Sequence, residues 1–396
     1  MGKPLDGVRV VDLSQLTSGP LGTMVLAEQG ADVVKVEPPG LGDIFRLSAF
    51  TRGGFSALVL NHNRGKRGIC IDTATPAGRA LVVELMQGAD VVVQNFRPGV
   101  VDRLGFGYDD IKAVNPSVVY VSISGYGPTG PYAHRPVVDP IIQALTGIVA
   151  RQQSEAIPLP DLVRNIIVDK ATALTVAQSI CAALFHRERT GEGNHLVIPM
   201  LDVGTYFFWP DGMMDHTLIG EGVIPGPRIA DTYQLTQCAD GQLIYYAPTN
   251  DMRLALYRQL GHPELCDDPR FNETAGLIQG DHLQIVGAIL VEEFEKRTVE
   301  EILTGFVEAG IPVAPILEPE QVWEDEQIIH NGTLVTWEHP QAGLVRQPRH
   351  PVRFASADTP VPESVPGLGE HTDEILTELG RSPEEIAALR AGGAVS

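Results

Sequence analysis

Gly30-Ala31-Asp32-Val33-Val34-Lys35-Val36-Glu37 and Gly88-Ala89-Asp90-Val91-Val92-Val93-Gln94-Asn95 open with the same five residues. Each phrase follows a helix-like run, residues 21–29 in the first case and 77–87 in the second. The glycine suits the position just past a helix C-terminus, and the unbroken valines suit a strand covered on both faces. Residues 8–13 (Val-Arg-Val-Val-Asp-Leu) before the first run and residues 117–124 after the second supply further strands. The alternation predicts an α/β chain built on a doubly wound parallel sheet.

Farther along, Asp169 leads a long helix over residues 170–187, and a strand follows at 195–199. After about Pro225 the texture changes. Residues 232–238 and 242–247 flank Ala239-Asp240-Gly241 as a hairpin, and helices are expected over 251–260, 282–296 and 299–309. Thr298 and Glu301 have capping-box spacing. This part reads as a second, smaller α+β domain. A Pro-rich stretch, 348–366, is expected to run as an extended linker, and Ser382-Pro383-Glu384-Glu385 opens a final helix.

The 396 residues are 43% hydrophobic, enough to bury one or two cores. A formal net charge of −21 argues against a nucleic-acid partner or an anionic membrane surface. It leaves room for an anionic small ligand held by a local basic cluster. Cys70, Cys181, Cys238 and Cys266 are widely spaced, which indicates neither a metal site nor a disulfide framework. A strand begins within eight residues of Met1, and the longest apolar stretch, 171–185, is too short for a bilayer span. The expected compartment is the cytoplasm.

Four segments carry candidate chemistry. The first βα turn, Gln15-Leu16-Thr17-Ser18-Gly19-Pro20-Leu21-Gly22, lacks dinucleotide glycine spacing and contains a proline, so it argues against NAD. It reads as a tight turn with Ser18 capping a helix, or as a ligand pocket at a strand end. Asn63-Arg64-Gly65-Lys66-Arg67 reads as a solvated face or a phosphate clamp. Asn95-Phe96-Arg97-Pro98-Gly99 follows a buried strand, with Arg103 beyond it, and Phe96 is either core or a purine-stacking residue. Asn165-Ile166-Ile167-Val168-Asp169 places a carboxylate at a helix start, where it serves as an N-cap, as an ionised nucleophile, or as both. His134 and Arg135 lie in a turn-rich segment that spacing alone does not assign.

Seven phrases in order resemble the family III CoA transferases, the CaiB/BaiF group. They are Gly30 to Glu37, Asn63 to Arg67, Gln94 to Gly99, Arg103-Leu104-Gly105, Ser124-Gly125-Tyr126-Gly127-Pro128-Thr129-Gly130-Pro131, Arg189-Thr190-Gly191-Glu192-Gly193 and Leu368-Gly369-Glu370-His371-Thr372. The resemblance implies an enzyme that moves coenzyme A between an acyl-CoA donor and a carboxylic acid, with acyl-CoA as substrate and no tightly bound cofactor. It puts the nucleophile at Asp169 and an acidic helper at Asp139. It lines the CoA site with Leu16, Thr17, Ser18, Lys66, Arg67, Asn95, Phe96 and Arg103. Backbone N–H groups near the helix start are expected to hold oxyanions. The implied architecture is an interlocked homodimer. In each protomer, residues 1–220 and 335–396 form a Rossmann-like large domain and residues 225–330 a smaller one.

Within the family, racemases place a His and a Glu where this chain has Val138 and Asn250. That weakens two-base proton exchange at Cα. A polyglycine gating loop and a turn Gln are replaced by Ile224-Pro225-Gly226-Pro227 and Thr17, which makes oxalate a doubtful acceptor. A racemase, an intramolecular CoA transferase and a silent CoA-binding protein are the alternative readings.

Overall fold

The structure is a computed structural model that describes residues 2–48, 50–153, 158–233, 235–355 and 364–396. Six parallel strands form its central sheet: β1 (Arg9–Asp12), β2 (Asp32–Glu37), β3 (Arg67–Cys70), β4 (Val91–Gln94), β5 (Val119–Ser124) and β6 (Asn194–Pro199). Their order is β3-β2-β1-β4-β5-β6, so the sheet winds both ways from β1. The two repeated phrases therefore become the two neighbours of β1, with Val10 opposite Val33 on one side and Val91 on the other.

Alternate residues of each strand enter different cores. Val10, Val33, Val91, Val93, Val119 and Val121 pack on one face. Val11, Val34, Val36, Ile69, Val92 and Tyr120 pack on the other. Burial of each such side chain contributes about 1.5–3 kcal/mol, which explains why the strands read as continuous valine runs.

The first face is covered by α1 (Ser18–Glu28) and, after α2 (Pro76–Gln87) and α3 (Asp139–Leu145), by the long α4 (Ile167–Thr190). The opposite face is covered by α2 and by the chain's C-terminal end. Gly22 of α1 lies against α4: a Cβ built there would meet Ala173 O at 2.9 Å and Val176 Cγ1 at 3.0 Å. A bare glycine thus lets the two helices approach closely, and their N-termini converge.

The 24 residues of α4 correct the expectation drawn from its apolar stretch, because by length and composition the whole helix could cross a bilayer. Half of its most apolar window is buried inside the protein. Val168, Ala171, Val176, Ala177, Ile180 and Ala183 enter the first core, which marks it as a core helix.

α5 (Met200–Gly212) follows β6. The contacts then divide the chain into two compact units, Met1–Met214 with Ile329–Ser396, and Asp215–Ile328. The second unit has α6 (Asn250–Gln259), α7 (His282–Glu295) and α8 (Val299–Glu308) with a small antiparallel sheet: Thr236–Gln237 beside Gln242–Tyr245 beside Val313–Pro315. Leu243, Tyr257, Phe294 and Phe306 form its core. Thr298 and Glu301 close the expected capping box at α8.

In the first unit, α9 (Thr372–Glu378) and α10 (Pro383–Ala391) return to the sheet, where Ile71 bridges to Val395. The Pro-rich linker expected over 348–366 falls, at 356–363, outside the described residues.

Candidate active site

α4 begins at Ile167, three residues earlier than its sequence indicated, so Asp169 is its third residue rather than its N-cap. Ile166, the actual N-cap residue, offers no capping side chain. Asp139, the first residue of α3, supplies the cap instead. Its Oδ2 accepts the Val168 and Asp169 N–H groups at 2.7 and 2.9 Å, and its Oδ1 accepts from Gln143 at 2.5 Å. Asp139 is 1% exposed. Both its oxygens accept hydrogen bonds from this segment and from α3, so Asp139 fixes where the start of α4 stands.

Asp169 faces the start of α1. Its Oδ1 accepts the Ser18 hydroxyl, and its Oδ2 has no hydrogen-bond partner among the described residues. Ser18 is therefore not a helix cap. Burial pushes the Asp169 carboxyl up, the Ser18 hydroxyl draws it back, and Asp139 adds a second upward push, to about 6. The carboxylate is thus largely ionised at neutral pH, but under-solvated. An anion in that condition, at the positive end of a helix, is a competent nucleophile.

The turn before Ser18 is built to hold it. Leu16 has φ of 67°, a left-handed conformation that costs a β-carbon residue about 1–3 kcal/mol unless its surroundings enforce it. Here Asn95 clamps Gln15 from both sides: its Oδ1 accepts the Gln15 N–H at 2.9 Å, and its Nδ2 donates to Gln15 O at 2.7 Å. Asp43 accepts the Leu16 N–H at 3.2 Å. Lys35 donates to Asp43 and to Ser14 O, at 3.1 and 2.9 Å, and ties that carboxylate into the floor of the turn.

Below the floor, Asp12 is fully buried and accepts from Ser14, Thr23 and Lys66. Burial opposes its charge, yet Lys66 and Lys35, with the two hydroxyls, outweigh that and hold its carboxyl at about 2. Sequence reasoning missed Asp12, Lys35, Asp43 and Gln143. The lone lysine in the otherwise unbroken Val33 to Val36 strand was the one available signal, since a buried lysine requires an anionic partner.

The family model for CoA-transferase family III matches residues 5–372. The chain belongs to this family. A formyl-CoA:oxalate CoA-transferase of Bradyrhizobium sp. (strain ORS 278) is 34% identical over 425 aligned positions, covering 100% of this chain and 98% of the relative. A succinyl-CoA:glutarate CoA-transferase of Mus musculus is 34% identical over 404 positions, covering 99% and 90%. The crystal structure of a CAIB/BAIF family protein from Brucella suis superposes with a TM-score of 0.82 at 32% identity, covering 96% and 100%. The protein is thus a CoA-transferase, an enzyme whose substrates include acyl-CoA.

The transferase brings Leu16, Thr17, Ser18, Asn95, Asp139 and Asp169 into one neighbourhood. The basic run does not join them, and it is neither a solvated face nor an open clamp. Lys66 is 1% exposed and donates to Asp12 Oδ2, Pro20 O and Asn63 Oδ1 at 2.8–2.9 Å, which uses all three of its N–H bonds. Arg64 pairs with Glu28 at 2.7 Å. Arg67 sits at the amino end of β3, away from the strand ends where such sheets bind ligands, and its fork is filled by Asp32, Glu374 and Glu378.

Phe96, Arg97 and Pro98 line a cavity of about 310 Å³ beyond the carboxyl end of β4 and alongside β5 and β6, together with Tyr108, Ser122 and His195. Arg97 and Arg103 are exposed, with no ion-pair partner among the described residues. His134 is exposed, and Arg135 stacks 3.7 Å from the Tyr132 ring centre. A larger cavity of about 900 Å³ lies along α1 and α4, but neither Ser18 nor Asp169 lines it. Among the described residues no three or more His, Cys, Asp or Glu gather as a metal site.

Proposed function

We propose that Asp169 is the nucleophile of a ping-pong transfer of CoA from an acyl-CoA to a carboxylic acid. The observation that carries this reading is the half-satisfied carboxylate: at the start of α4, Oδ1 is held by Ser18 and Oδ2 has no partner among the described residues. Oδ2 attacks the thioester carbon, the C–S bond breaks, and a mixed anhydride and CoA thiolate result. The thiolate adds to Asp169 Cγ and expels the donor acid, leaving an aspartyl-CoA thioester. The acceptor carboxylate then displaces the thiolate from Cγ, and the thiolate attacks the new acyl carbon. Product acyl-CoA leaves and the Asp169 carboxylate is restored. Each hard exchange is split into displacements of comparable groups.

The relatives named for oxalate and glutarate support a small carboxylic acid as acceptor, while Thr17 and the absence of a polyglycine loop make oxalate a poor one. Val138 offers no titratable group, so nothing favours the racemase reading. We place the CoA chain across Leu16 and Thr17, with Asn95 behind them, and its nucleotide end toward Phe96 and the exposed Arg97 and Arg103. Lys66 and Arg67 enter as the internal supports described above. The large domain of residues 1–220 and 335–396, the interlocked homodimer and the cytoplasmic location belong to the same reading and rest on the family resemblance.

Asp169→Ala tests it. Transfer from an acyl-CoA donor to any acid of a mono- and dicarboxylate panel falls at least 10⁴-fold, on the scale seen for loss of a covalent nucleophile, while CoA affinity stays within a few-fold. Normal turnover in that variant overturns the reading.

A further inference from the structure

A transfer through Asp169 generates negative charge twice on the same atom. When the CoA thiolate adds to the aspartyl anhydride, the carbonyl π pair of Cγ moves onto its oxygen. When the acceptor carboxylate adds to the aspartyl thioester, the pair moves there again. A preorganised donor at that oxygen lowers both barriers.

At the start of α4 the N–H groups that would be expected to supply it are taken. Those of Val168 and Asp169 donate to Asp139, that of Ile167 to Asn165 O at 2.8 Å, and that of Lys170 to Ile166 O at 3.1 Å. The polar hydrogen aimed at the carboxylate is the Ser18 hydroxyl. Ser18 is 3% exposed and stands on the turn that Asn95 and Asp43 lock in place, so the donor is held before any substrate arrives.

We propose that Ser18 is a catalytic residue whose hydroxyl makes Oδ2 the attacking oxygen and then donates to the oxyanion on Oδ1 at aspartyl Cγ. The inference rests on Asp169 being the nucleophile. In the resting enzyme the hydroxyl occupies Oδ1, so the open lone pair belongs to Oδ2. Once Oδ2 bonds to the acyl carbon, Oδ1 is the carbonyl oxygen of the anhydride and still faces Ser18. Addition of thiolate at Cγ places the charge on Oδ1. Its return breaks the Cγ–Oδ2 bond and releases the donor acid with Oδ2. The acceptor's oxygen takes the vacated position when it expels thiolate. Ser18 keeps its proton throughout, and no oxidant, metal or added base is required.

Ser18→Ala, Ser18→Thr and Ser18→Cys separate this role from simple packing. Removing one oxyanion donor costs about 10²–10³-fold in kcat. The Ala variant is expected to lose about that factor with KM for the acyl-CoA within three-fold of wild type. The acid limb of its rate profile moves to higher pH, because the carboxylate loses a bond that favours its charged form. The Thr variant, which keeps the hydroxyl, recovers to within ten-fold of wild type. Should the Ala variant not fold, the Cys variant, of similar shape but a weak donor, must show the same loss and the same shift.

Near-wild-type kcat with an unmoved acid limb in the Ala or Cys variant overturns the proposal. Hydroxylamine trapping runs alongside. If wild type gives no Asp169 adduct, the nucleophile reading has failed. If wild type and the Ala variant form the adduct at equal rates, Ser18 alone is dismissed.

Discussion

Asp139 caps the helix that carries Asp169: one carboxylate oxygen accepts the backbone N–H groups of Val168 and Asp169, 29 and 30 residues later in the chain. A structural anion is thereby placed beside the proposed nucleophile. The two effects oppose each other, since the cap fixes where Asp169 stands and its charge makes Asp169 harder to ionise.

Removing that cap separates the two effects. Asp139→Ala leaves two N–H groups without their acceptor and is expected to lower unfolding stability by about 2–3 kcal/mol. Asp139→Asn keeps an acceptor and removes the charge. It costs about 1 kcal/mol and shifts the acid limb of the rate profile to lower pH. Denaturant titration with pH–rate profiles of both variants checks this. Unchanged stability in the Ala variant contradicts the capping role.

The Asp169 carboxyl also leaves a signature in stability. Its folded-state value of about 6 lies above the ordinary 3.8, so the folded protein holds this proton more tightly than the unfolded chain does. Stability is therefore lost as pH rises from about 4 to 6, and the full cost, about 3 kcal/mol, persists above that. Asp169→Asn has no charge to form. It is expected to match wild type at pH 4 and to be more stable by up to that amount at pH 7–8. Equal stability of the two proteins at high pH would show that the carboxylate is not desolvated.

Much of the sheet was legible because parallel strands covered on both faces are mostly apolar, and Val33, Val34, Val36 and Val91 to Val93 advertise that directly. The caps at Thr298 and Ser382 were legible for a similar reason: cap and helix lie within four residues of each other. Asp169 was recognisable as a carboxylate at a helix start, but its position was misread. Ile166 and Ile167 give no local start signal, and the true cap comes from Asp139. The basic run at Arg64 to Arg67 misled for the same reason. Its partners Asp12, Glu28, Asp32, Glu374 and Glu378 are near only in the fold, so a run that looks solvated or ligand-binding is internally neutralised. Ser18 looked like a cap because serine before a helix often is one, and only packing of α1 on α4 turns its hydroxyl toward Asp169.

Trapping of the covalent intermediate tests the central claim most directly. The enzyme is incubated with an acyl-CoA donor and hydroxylamine, without acceptor acid, and digested for peptide mass spectrometry. The account predicts donor-dependent inactivation with one hydroxamate, on Asp169, and none in Asp169→Asn. A hydroxamate on another carboxylate, or full activity after the incubation with no adduct, would contradict it.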